Sequence, residues 1–209
     1  METDWAAEHL QTIRTLMERS AVYRRALAPI MVWNGIVGVV EGVLGWKFYP
    51  HSGRLFLELW SGAALLAIIG SFLLVRRQAI KDSEPFWSPP TRRIAQGLLP
   101  PLFIGGFVNA VGIYALGTDD DFVTAIMFII FWLWLYGCAA NAAGFFMTRG
   151  MKLFGWLFIL AGCGLVAGVF QNQLVSSVSP HLLMAATFGG LHLAYGIYLY
   201  LTEKGKNAA

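Results

Sequence analysis

Residues 122–147 read FVTAIMFIIFWLWLYGCAANAAGFFM, a run without a single Asp, Glu, Lys or Arg. A helix crossing the hydrocarbon core of a bilayer needs about 20 apolar residues, and this stretch supplies more. Its centre, FIIFWLWLY at 128–136, is dense in aromatics and reads as a helix turned toward lipid. Working outward, five more runs are long enough to span: 27–46, 55–75, 95–116, 153–170 and 182–201. The fifth in chain order is short and glycine-rich, with GCGLVAG at 162–168. The fold class expected is all-α: an integral-membrane six-helix bundle.

Composition agrees. Hydrophobic residues make up 57% of the 209 and charged residues 13%, against about 25% charged in a soluble domain. A soluble globule of this size would leave large apolar patches in water. Twenty-three glycines and 14% aromatics fit helices that pack closely and anchor at interfaces. The net charge of +3 comes from short basic clusters between oily runs, not from a basic stripe with stacking aromatics. The expected partner is therefore the lipid bilayer, and nucleic acid is excluded. Cys138 and Cys163 both fall inside apolar runs, so no disulfide framework exists. They lie at similar depth on adjacent spans, close enough to touch, and are expected to behave as small apolar residues.

The placement of Lys and Arg sets the topology. The N-terminal tail carries Arg14, Arg19, Arg24 and Arg25, and the second loop Arg76, Arg77, Lys81, Arg92 and Arg93. The fourth loop adds Arg149 and Lys152, and the C-terminal tail Lys204 and Lys206. That is 13 on one side, against Lys47 and Arg54 on the other. Basic residues gather in cytoplasmic loops, so both termini are expected in the cytoplasm, which also requires an even number of spans. The first run, behind four arginines, reads as a retained span rather than a removed leader.

The chain thus divides into a cytoplasmic amphipathic helix at 1–26, a six-span domain at 27–201 and a cytoplasmic tail at 202–209. In the first, Leu10, Ile13, Leu16 and Met17 gather on one helical side and Asp4 stands at a capping position. Such a helix lies on the membrane surface or against the protein's own loops. The stretch LQTIRTLMERSAVYRR, from Leu10 to Arg25, resembles the opening of a group of uncharacterised bacterial multi-pass membrane proteins. The resemblance implies a bacterial inner-membrane location and no particular activity.

Two segments resemble each other. GGFVNAVGIY at 105–114 and GGLHLAYGIY at 189–198 agree at both leading glycines, one alanine and the closing Gly-Ile-Tyr. They sit in the third and sixth runs, as a 3+3 inverted repeat requires, a device recurrent in transporters. Close-packed membrane helices also show such glycine spacing without any duplication.

Polar groups at membrane depth cost on the order of 2.5–3.5 kcal/mol when ionisable, which makes each a site candidate. On the first run Asn34, Gly38, Glu41 and Gly45 fall on one face, which should meet other helices. Glu41 lies roughly 7–8 Å inside the outer end, with Glu58 as shallow or shallower. Together the two carboxylates can bind a cation or share a proton. Alternatively Glu58 pairs with Arg54 and Glu41 reaches toward Lys47. His192 lies near mid-span, sharing a face with Phe188 and Tyr195, where Asn34 or Asn109 is placed to hydrogen-bond it. TDDD at 118–121 reads as a cap on the fourth helix, with weak collection of cations as the alternative.

The ion- or substrate-binding candidates are therefore His192, Asn34, Glu41, Asn109, Tyr195 and Glu58. No metal and no cofactor is expected: bis-histidine haem ligation fails because His181 and His192 are on one helix, with His9 and His51 in the tail and an outer loop. HExxH, GxSxG, Walker and CxxC patterns are missing, so an enzyme is not expected. Two functions stand: a small-solute or proton/cation-coupled transporter with a midplane polar site, or a non-catalytic sensor, assembly factor or subunit of a larger membrane complex. Glycine-rich helix faces also offer a surface for a membrane-protein partner or a second copy.

Overall fold

The computed structural model describes residues 21–49, 52–83, 85–115, 122–147, 149–170 and 178–207. The proposed N-terminal amphipathic helix up to residue 20, His51 and TDDD at 118–121 lie outside the described residues. What is described is all-helical, with six helices long and apolar enough to cross a membrane. These are α1 (Ala21–Phe48), α2 (Gly53–Lys81), α3 (Pro89–Ala115), α4 (Phe122–Ala143), α5 (Arg149–Phe170) and a last helix, α6. α6 starts as Pro180–Met184, widens into a π-helical stretch at Ala185–Gly190 and continues as Leu191–Asn207. Six apolar helices of this length mark a multi-pass membrane protein.

Helix ends follow local chemistry. The Ser52 side chain caps α2 by accepting the Leu55 N–H at 3.3 Å. Proline opens α3 and α6 at their first helical position, where a missing N–H costs nothing. α2 outruns its predicted end at 75 and carries Arg76, Arg77 and Lys81 on its last turns. α4 stops at Ala143 instead of 147, and Gly144–Met147 form a turn held by bonds from the Gly144, Phe145 and Phe146 amides to Ala140, Ala142 and Ala143. α6 runs on to Asn207, through most of the segment read as a tail.

The packing overturns one expectation. α4, read as turned toward lipid, is the central helix, lying against α3, α5, α6 and part of α2. Ile129, Leu133, Ala139, Ala140 and Ala143 are fully buried, and Ile126 and Ile130 nearly so. The apolar core gathers on this helix, with Phe154 and Phe158 from α5, Met31 from α1 and Leu57 from α2. The reason is physical: lipid tails are as apolar as leucine, so hydropathy does not distinguish a helix facing lipid from one facing protein. α2 and α3 turn outward instead, through residues such as Leu65, Ile69, Phe103 and Phe107.

Two close helix crossings organise the bundle. α1 lies along α6, where a Cβ on Gly38 would sit 2.9 Å from both the Cα and the N of Gly189. α4 lies along α5, where a Cβ on Gly155 would sit 2.7 Å from the Asn141 amide and the Gly137 carbonyl. Only glycine permits backbones this near. Exposed aromatics ring both ends of the bundle: Trp46, Phe48, Tyr114 and Phe170 at one, Trp87, Phe145 and Phe146 at the other. That is where amphipathic and aromatic rings settle at a membrane boundary.

Candidate functional site

The π-helical stretch at Ala185–Gly190 ends just before His192. A π turn shifts the backbone ladder and the helical face by about one residue, and such turns concentrate at functional sites. Here the carbonyl of Phe188, inside the stretch, is met by the imidazole of His192 at 2.6 Å through Nδ1. A carbonyl only accepts, so Nδ1 carries the proton. The other ring nitrogen, Nε2, lies 2.6 Å from the Tyr136 hydroxyl of α4 and accepts a hydrogen bond from it. Both nitrogens of this buried ring are thus satisfied.

The surroundings are aromatic. Tyr136 lies with ring centroids 4.9 Å from Phe158 and 5.3 Å from Phe188. His192 presents itself edge-on to Phe154 and Phe158, at 5.0 and 5.5 Å. Tyr195, one turn on, stacks on Phe154 at 4.9 Å, and Gly150 of α5 leaves room for its hydroxyl. Phe188, His192 and Tyr195 therefore do share one face, and it fills the space between α4, α5 and α6.

The remaining candidates are elsewhere. Asn34 accepts from the Ser71 hydroxyl of α2 at 3.0 Å. Asn109 donates to the Ser61 hydroxyl at 2.6 Å and toward the Leu57 carbonyl at 3.4 Å, joining α3 to α2. Neither meets His192. The face expected on α1 is divided: Gly38 and Gly45, with Gly35 and Gly42, lie on α6, whereas Asn34 turns to α2. Glu41 is half-buried, and Lys47 stands over the Phe48 ring at 5.5 Å. Glu58 takes the Arg54 side chain at 2.8 Å in an exposed i, i+4 pair. Such a pair is worth about 0.3–0.5 kcal/mol. Cys138 and Cys163 are free and exposed on their helices. Among the described residues no group of His, Cys, Asp and Glu could hold a metal ion.

A second clasp was not anticipated. His181, at the start of α6, is buried, accepts from the Trp60 indole at 3.3 Å through Nδ1, and meets the Tyr49 carbonyl at 3.2 Å through Nε2. An indole only donates, so Nε2 carries this ring's proton. Phe56 lies edge-on to it at 5.0 Å, and a Cβ on Gly45 would fall inside the imidazole. The signal available was the glycine spacing of α1, which leaves room for large rings on α6. Tyr136 was likewise overlooked, though it is the only hydroxyl in FIIFWLWLY.

Chemically the arrangement is a set of interhelical hydrogen bonds, each closing one helix on another: α1 on α2, α2 on α3, α4 on α6, and α2 with the end of α1 on α6. No protein-family model, curated protein or solved structure matches the chain.

Proposed function

We propose that this chain is a non-catalytic component of a bacterial inner membrane, with both termini in the cytoplasm, that acts as a sensor, assembly factor or subunit of a larger membrane complex. The observation that carries this reading is the dispersal of the polar residues. Asn34, Asn109, His192 and His181 each close on a partner from a neighbouring helix, and they do so at separate places. A transport site needs such groups convergent on one cavity with hydrogen-bonding capacity left for a solute. Here that capacity holds the bundle together, and the surfaces turned outward are the apolar faces of α2 and α3. The 13-to-2 distribution of basic residues supports the orientation, and the N-terminal resemblance supports the bacterial setting.

Transport stands as the second reading, favoured by one observation. α1 packs on α2 and α6, and α4 packs on α5 and α3, as an exchange of 1 with 4, 2 with 5 and 3 with 6 requires. The matched glycines follow it: Gly189 and Gly196 lie on α1 at Val39 and Val32, Gly105 and Gly112 on α4 at Trp132 and Phe128. These pairings support the reading of a 3+3 inverted repeat.

Cysteine accessibility separates the two. In a Cys138→Ala, Cys163→Ala background, single Asn34→Cys, Ser61→Cys and Phe188→Cys variants in proteoliposomes are expected to resist a membrane-impermeant maleimide from both faces. Labelling at these positions would mean that water reaches the clasps, and transport would replace the interaction reading. For that reading, a photo-crosslinking side chain at Ile69 or Phe107 is expected to give one discrete protein adduct in native membranes.

A further inference from the structure

The turn that ends α4 presents two neighbouring phenylalanines, Phe145 and Phe146, at 67% and 44% exposure. Each carries a cation. The Lys152 ammonium stands 3.5 Å from the Phe145 centroid, and the Arg93 guanidinium lies 5.9 Å from that of Phe146. The two cations come from different helices and flank the turn. Gly97, one helical turn beyond Arg93 on α3, backs onto the Ala143 amide, where a Cβ would sit at 3.2 Å. On the other side Gly144 backs onto Lys152 of α5.

Register places these groups at one depth. Arg93 is in the first turn of the apolar span Thr91–Ala115, Lys152 in the first turn of Gly150–Phe170, and the phenylalanines just past the end of Val123–Ala143. All four stand where acyl chains give way to headgroups. The Arg54–Glu58 ion pair is at the opposite end of the bundle. A cation held over an aromatic face keeps N–H groups for a further acceptor. Guanidinium in particular is shaped to take a phosphate in two parallel hydrogen bonds.

We infer that the α4–α5 turn is a binding site for an anionic phospholipid. Arg93 and Lys152 hold the headgroup, and Phe145 and Phe146 hold the upper acyl chains. A zwitterionic lipid brings its own cation to this basic site and binds it less well.

The test is native mass spectrometry of the full chain released from mixed micelles, titrated with phosphatidylglycerol or phosphatidylcholine. Wild type is expected to retain phosphatidylglycerol preferentially. The Arg93→Gln, Lys152→Gln double variant should bind it about thirtyfold more weakly, the worth of two basic residues at an anionic surface. Arg76→Gln, Arg77→Gln removes the same charge from the exposed end of α2 and should retain the lipid as wild type does. Melting in phosphatidylcholine micelles, expected to be unchanged, shows that both double variants are folded. Equal loss in the two double variants would overturn the site in favour of diffuse attraction. Displacement of the lipid by millimolar inorganic phosphate would overturn it in favour of a soluble anion, and equal retention of the two lipids would overturn the headgroup assignment.

Discussion

Replacing Tyr136 with phenylalanine deletes one oxygen atom and leaves the ring. The ring's contacts with Phe158, Phe188 and His192, at 4.9, 5.3 and 5.3 Å between centroids, are kept. What is lost is the 2.6 Å hydrogen bond to His192 Nε2, leaving a buried acceptor without a donor. In water-soluble proteins an orphaned buried group costs about 1–3 kcal/mol. Inside membrane bundles interhelical hydrogen bonds average about 0.6 and reach about 1.7 kcal/mol, because the unfolded chain in lipid also finds partners. The expected loss for Tyr136→Phe is therefore about 0.6–1.7 kcal/mol. Tyr136→Ala removes the ring contacts as well and should cost about 3–5 kcal/mol, the range for emptying an aromatic site. Reversible unfolding in bicelles, followed by steric trapping, measures both. A double-mutant cycle with His192→Leu should return a coupling of the same 0.6–1.7 kcal/mol size, about that of one interhelical bond. Zero coupling, or no loss for Tyr136→Phe, would refute the clasp.

Four further outcomes follow from the packing. Gly38→Ala and Gly189→Ala, each driving a Cβ into the facing backbone, should lose about 1–3 kcal/mol by overpacking. Gly106→Ala, which meets open space, should be neutral or gain up to about 1 kcal/mol from helix propensity; the same unfolding assay reads all three. Ser61→Ala, which takes away the closer of two Asn109 bonds, should cost about 0.6–1.7 kcal/mol and loosen α3 from α2 in amide exchange. Cys138→Ala and Cys163→Ala, at exposed positions, should leave the melting temperature within about 2 °C of wild type, since surface substitutions stay within about 0.5 kcal/mol.

How far the sequence could be read is clearest from particular residues. Arg54–Glu58 was legible because an i, i+4 pair is local and needs no tertiary information. The glycines of α1 pointed to a close helix contact, and it exists, against α6. The polar partners were not legible. Asn34 and Asn109 found serines, not the histidine, and His192 found a tyrosine 56 residues away together with its own backbone. Each choice depended on the rotation of one helix against another. The π stretch also reset the face of α6 by a step that periodicity does not encode.

By itself the sequence determined six helices long and apolar enough to cross a membrane, and the aromatic and basic residues at their ends. Span length against hydrocarbon thickness is a one-dimensional comparison, made along the chain. Which face of each helix points inward was decided only by the tertiary structure. In water the hydrophobic effect would have written that choice into the pattern. Between apolar helices in an apolar solvent it is weak, and close glycine contacts, ring packing and a few hydrogen bonds decide instead. That is why FIIFWLWLY, read as a lipid-facing helix, forms the centre of the bundle.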